Sequence, residues 1–104
     1  MNEIKMIRGD TARFEIEILN QNEEPYSLQE GDKLVFTVKK NVSTRCVALQ
    51  KQITGETFTI THDDTKNMAY GEYVYDVQLT QANGDVTTVI PPSSFYLDKE
   101  VNFD

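Results

Sequence analysis

The strongest constraint on this chain is an alternation of period two. In "ARFEIEI", Ala12, Phe14, Ile16 and Ile18 alternate with Arg13, Glu15 and Glu17. Successive strand side chains point to opposite faces, so one face of this stretch is apolar and the other charged. The same rule runs through "KLVFTVK", where Leu34, Phe36 and Val38 share a face, and "ETFTITH", where Phe58 and Ile60 do. In "EYVYDVQLT", Tyr73, Tyr75, Val77 and Leu79 line one side. Threonine, valine, isoleucine and aromatics fill these runs, as strands prefer. Half-buried antiparallel strands give this pattern.

Punctuation divides the chain into strands over 3–8, 11–19, 33–39, 45–52, 56–61, 72–81, 85–90 and 94–101. Asn83-Gly84 suits a two-residue type I′ hairpin. Gly55, in "ITGET", predicts another hairpin. The polar run "NQNEEPYSLQEGDK", with Pro25 and Gly31, forms a longer loop. Pro91-Pro92 cannot both sit in a central ladder, so the strand there breaks or lies at an edge. "DDTKNMAY" is the only helical candidate, with Asp63 or Asp64 able to cap a single turn. Short strands at regular spacing predict an all-β domain, a sandwich or barrel, with one short helical turn. At 104 residues the chain has room for one domain, 1–104.

Tyr73 opens a long strand just after the helical turn. Its phenol can bond back to that turn, forming a tyrosine corner, or simply pack in the core. Arg8-Gly9-Asp10 has the look of an adhesion signal. It falls between two predicted strands, where glycine supplies an unusual backbone conformation and aspartate an acceptor for nearby amides. We read it as a turn.

Chemistry-bearing patterns are sparse, and the expectation is a protein that is not an enzyme, with no catalytic, cofactor or metal site. The sequence has no glycine-rich phosphate loop, Gly-x-Ser-x-Gly, histidine pair or Cys-x-x-Cys. Cys46 is the only cysteine and His62 the only histidine. Ser27 and Ser43 lie on distant loops from His62, so spacing does not favour a triad. A small hydrolase built on His62, Asp63 and Asp64 is the weakest reading. These acids lack the alternating oxygens and bend glycine of a calcium loop. Asp76 lies opposite the Tyr73–Tyr75 face, as a buried, hydrogen-bonded acid or, the favoured reading, simply facing solvent. Tyr70, Tyr73, Tyr75 and Tyr96 suit either a sugar platform or, the favoured reading, core and cross-strand packing.

A net charge of −7 disfavours nucleic acid and anionic membrane surfaces. No apolar run reaches the ~20 residues of a membrane-spanning helix, and no secretory signal opens the chain. Synthesis in a cytoplasm is therefore expected.

Three stretches carry a family resemblance: Gly9-Asp10-Thr11 ahead of an alternating strand, Gly31-Asp32 leading into "LVFTVKK", and Gly71-x-Tyr73-x-Tyr75-Asp76. In these the chain resembles phage and prophage tail proteins of low-GC Gram-positive bacteria, in particular the N-terminal domain of phage baseplate upper proteins. The resemblance implies an immunoglobulin-like β-sandwich of seven to eight antiparallel strands, with Tyr75 filling the place of a disulfide cysteine. It implies a structural role in a virion tail tip or baseplate, with other tail proteins and further copies of itself as partners. Baseplate upper proteins continue into a helical stalk, whereas this sequence stops at Asp104; a stand-alone accessory subunit or a prophage remnant is the expectation. Its contacts are expected at the N-terminal strand, Glu3 to Arg8, and the C-terminal strand, Ser94 to Val101, since strand edges carry unpaired backbone groups. The alternative function is a carbohydrate-binding module that aids host-surface recognition.

Overall fold

A computed structural model describes residues 3–99, apart from Glu17, Asn20, Gln21 and Glu56. Seven strands and one helical turn follow in order: β1 (Ile4–Ile7), β2 (Ala12–Glu15), β3 (Lys33–Lys39), β4 (Val47–Ile53), β5 (Thr57–Ile60), α1 (His62–Thr65), β6 (Gly71–Thr80) and β7 (Val86–Asp98). They form a five-stranded sheet, ordered β1-β7-β6-β3-β4, and a two-stranded sheet of β2 and β5. The chain is mostly β, as the alternation predicts.

Alternation becomes core where the two sheets meet. Leu34, Phe36 and Val38 on β3 and Val77 on β6 are all fully buried, with Tyr75 at 1% exposure. Phe58 of the small sheet lies 4.9 Å from Phe36 and 5.3 Å from Phe14, ring centre to ring centre. Phe36 also meets Tyr75 at 5.4 Å and Phe95 at 6.2 Å. Aromatic centroids at these separations sit in the favourable range for tilted packing.

Several sequence expectations change. β1 runs parallel to β7, pairing Ile4 with Phe95 and Ile7 with Asp98, so the sheet is not wholly antiparallel. The run over 11–19 forms a strand only to Glu15; Tyr26 then donates its backbone N–H to the Ile18 carbonyl at 2.8 Å as the chain doubles back. Gly55 makes no hairpin. β4 pairs with β3 and β5 with β2, so this connection carries the chain from one sheet to the other.

The Asn83-Gly84 turn is wider than the two-residue form. Gly84 donates to the Gln81 carbonyl and Gln81 to that of Asp85, both at 2.8 Å. Only Gly84 takes a positive φ, +93°. Asn83 serves instead through its side chain, accepting the Asp85 N–H at 2.9 Å.

Pro91-Pro92 does not break the chain into two strands. β7 continues through it by bulging. Tyr75 faces Ser93 and Val77 faces Ile90, so both prolines oppose the single residue Asp76. A second irregularity follows between Val77 and Gln78. A bulge leaves the extra residue out of the ladder, where a missing N–H costs nothing. On the other side of β7, β1 reaches only Phe95–Asp98 and leaves the prolines at an edge.

Tyr73 does make the corner. It is buried, and its hydroxyl donates to the Ala69 carbonyl at 2.8 Å, just before β6. Tyr73→Phe removes that bond and leaves a carbonyl short of a partner. We expect a loss of about 1 kcal/mol, read as a lower denaturation midpoint with an unchanged slope.

Candidate interaction surface

The residues that looked chemical are dispersed among structural tasks. Arg8-Gly9-Asp10 forms the β1–β2 turn, with Asp10 donating to the Ile7 carbonyl at 3.1 Å and Gly9 at φ +86°. This turn is strapped to α1. Gly9 donates to Thr65 Oγ1 at 2.8 Å, and Thr65 is fully buried. The Arg8 guanidinium donates to the Met68 carbonyl at 3.2 Å and lies 4.0 Å from the Tyr70 ring centre. Its side chain is held by the fold rather than extended towards solvent.

His62, Asp63 and Asp64 do not converge. His62 Nδ1 sits 2.6 Å from the Gly9 carbonyl, which can only accept, so that nitrogen carries the proton. Asp63 pairs with Lys66 at 3.1 Å on the surface. Asp64 turns the other way, to Lys51 Nζ at 2.6 Å. Thr61 occupies the N-cap of α1, and its backbone N–H donates to the Asp64 carboxylate at 2.8 Å. Burial alone would raise the Asp64 pKa. Lys51 and Thr61 more than reverse that, holding it below its ordinary value.

Lys51 belongs to an edge strand, yet it reaches inward. Besides Asp64 it donates to the Thr59 carbonyl at 2.7 Å, tying β4 to β5 and α1. Among the described residues no cluster of histidine, cysteine and acidic side chains could hold a metal ion. No described helix is long and apolar enough to cross a membrane. Cys46 is exposed, just before β4. Ser27 and Ser43 are exposed in separate loops.

The tyrosines separate as well. Tyr73 and Tyr75 are core residues, and burial pushes the Tyr75 phenol up to about 12. Tyr70 and Tyr96 are half-buried, with Lys99 5.7 Å from the first ring centre and Lys5 5.9 Å from the second. Four tyrosines on one open platform are therefore absent.

The motif residues also do local work. Asp32 accepts from the Tyr26 hydroxyl at 2.5 Å and the Gln29 N–H at 2.9 Å, and these bonds hold its carboxyl below its ordinary value. Ala82 donates to its other oxygen at 3.3 Å, linking the loop before β3 to the β6–β7 turn. Gly71 opens β6 at φ +131°.

A groove of about 290 Å³ lies on the outer face of the large sheet, where β6, β3 and β4 run side by side. Thr37, Lys39, Val42, Val47, Asp76 and Pro92 line it. Asp76 is not simply solvated: it is half-buried here, and burial raises its carboxyl against the opposing pull of Lys39. Val42 and Val47 remain 67% and 47% exposed. The groove draws on four strands and the β3–β4 loop, which is why no contiguous motif announced it.

No protein-family model matches this chain, and no curated protein matches it.

Proposed function

We propose that this chain is a non-enzymatic structural and interaction module of a phage or prophage tail tip or baseplate, built as an immunoglobulin-like β-sandwich. Support for the sandwich comes from the two sheets meeting through Phe36 and Phe58, and from the Tyr73 corner. The quoted motifs support the family. Their conformational roles, a turn at Gly9-Asp10, a loop anchor at Asp32 and a strand start at Gly71, belong to a scaffold.

The observation that carries the interaction role is the pair of open margins. β1 and β4 end the five-stranded sheet, and no described strand pairs with their outer sides. Unpaired edge groups favour completion by another chain. This corrects the expected contact elements: Ser94 to Asp98 is interior, because β1 and β6 flank its end, while Val101 lies outside the described residues. The carbohydrate-binding alternative loses Tyr73 and Tyr75 to the core.

Co-expression with the products of the genes flanking its own, followed by size exclusion with light scattering, tests the role. The expected outcome is a stable complex of fixed ratio with a tail protein, and presence of the chain in purified tails. A protein that stays monomeric at high concentration and binds none of those products overturns it.

A further inference from the structure

Charge is unevenly placed along this chain. Residues 33–55 hold five of its ten basic residues and none of its seventeen acidic ones. Those residues form β3, β4 and the loop between them, so this hairpin carries only basic charges of its own in a protein of net charge −7. Its outer strand, β4, ends the sheet. Lys51 is committed inward to Asp64 and Thr59. Lys33 and Arg45 are exposed, Lys40 lies 4.7 Å from the Tyr73 ring centre, on the β6 side, and Lys39 is half-buried at the groove.

Resting on the interaction role above, we propose that β4 accepts an extended, acidic segment of a partner protein as an added strand. Backbone bonding along Val47–Ile53 supplies the alignment. The segment's apolar side chains extend the inner face of β4 beside Leu49, which packs against the core. The segment's acids take the outer face, the side that Lys39 lines, with Arg45 exposed in the adjoining loop. A second copy of this chain offers no acidic strand for this edge, because neither of the sheet's end strands, β1 or β4, holds an acidic residue. Attraction between opposite charges would set both register and encounter rate.

The test uses the full chain, labelled with ¹⁵N, and a short peptide in which glutamate alternates with valine. Its lysine counterpart is the control. The glutamate peptide should shift and protect amides of Val47–Ile53, and the lysine peptide should leave them unchanged. Raising salt to about 0.5 M should weaken binding strongly, because exposed charges are then screened. Lys39→Glu/Arg45→Glu should weaken it about tenfold or more. Arg45→Glu alone, in an exposed loop, carries the same test with less risk to folding.

Shifts confined to β1 or α1, equal binding of both peptides, or no binding of either would overturn the inference. So would equal binding of a single-stranded DNA oligomer, which would mean a general polyanion site. Self-association that protects β4 in both copies would replace the partner with a second copy and overturn it too. A complex with a tail protein that survives both charge reversals and leaves β4 unprotected defeats this inference alone. Failure to form any such complex defeats the underlying role.

Discussion

Phe36→Ala should cost about 3–5 kcal/mol, the range for truncating a buried aromatic to alanine. Phe36 is fully buried and meets rings from both sheets: Phe58 on the small one, Tyr75 and Phe95 on the large one. Its removal opens a void that three rigid aromatic neighbours cannot close by small shifts. A domain of this size has roughly 5–15 kcal/mol in total, so the variant stands near the edge of folding. Urea denaturation should show the midpoint falling by a couple of molar units, at about 1–3 kcal/mol per molar. Val35→Ala, on the same strand but on its half-buried outer face, should cost under about 1 kcal/mol. Similar losses in the two variants would mean that the sheets do not meet at Phe36.

That contrast marks how far the sequence could be read. Positions 34, 36 and 38 announce their face by period alone, because inward and outward residues on β3 differ in kind. The same holds for Tyr73, Tyr75, Val77 and Leu79. β7 was harder. Its bulges near Pro91-Pro92 shift the alternation, so Ile90 and Phe95 both point inward although their spacing is odd. A reading by strict period must split that strand in two. The parallel pairing of β1 with β7 has no local signal, since it joins the two ends of the chain. Gly55 misleads for a related reason: a glycine marks a bend, but not whether the chain stays in its sheet. The groove itself was not legible, because its lining comes from separate strands. The acid-free run from Lys33 to Gly55 is plain in the sequence, but its meaning depends on β4 being the last strand of the sheet.

Lys51 shows the same limit from the opposite side, and it yields the second large effect. A lysine in an edge strand reads as a solubility device, yet here it reaches Asp64 at 2.6 Å with both side chains largely covered, at 25% and 20% exposure. Exposed pairs contribute up to about 1 kcal/mol, and breaking a fully buried one costs about 3–5. This pair lies between, so Asp64→Asn should cost about 1–2 kcal/mol. Asparagine can still accept the Thr61 N–H, which isolates the charge from the cap. The pH dependence carries the sharper signature. The Asp64 carboxyl is held below its ordinary value of 3.8, so its contribution is complete above that value. It fades as pH falls through the lowered folded value, where the native carboxylate finally takes up its proton. The parent and Asp64→Asn stability curves should therefore run apart at neutral pH and draw together in acid. Lys51→Met, which keeps the apolar stem, should remove the same acid-sensitive difference, and adding it to Asp64→Asn should cost little more. A gap between parent and Asp64→Asn that stays constant from neutral to strongly acidic pH would assign Asp64 a role of shape rather than charge.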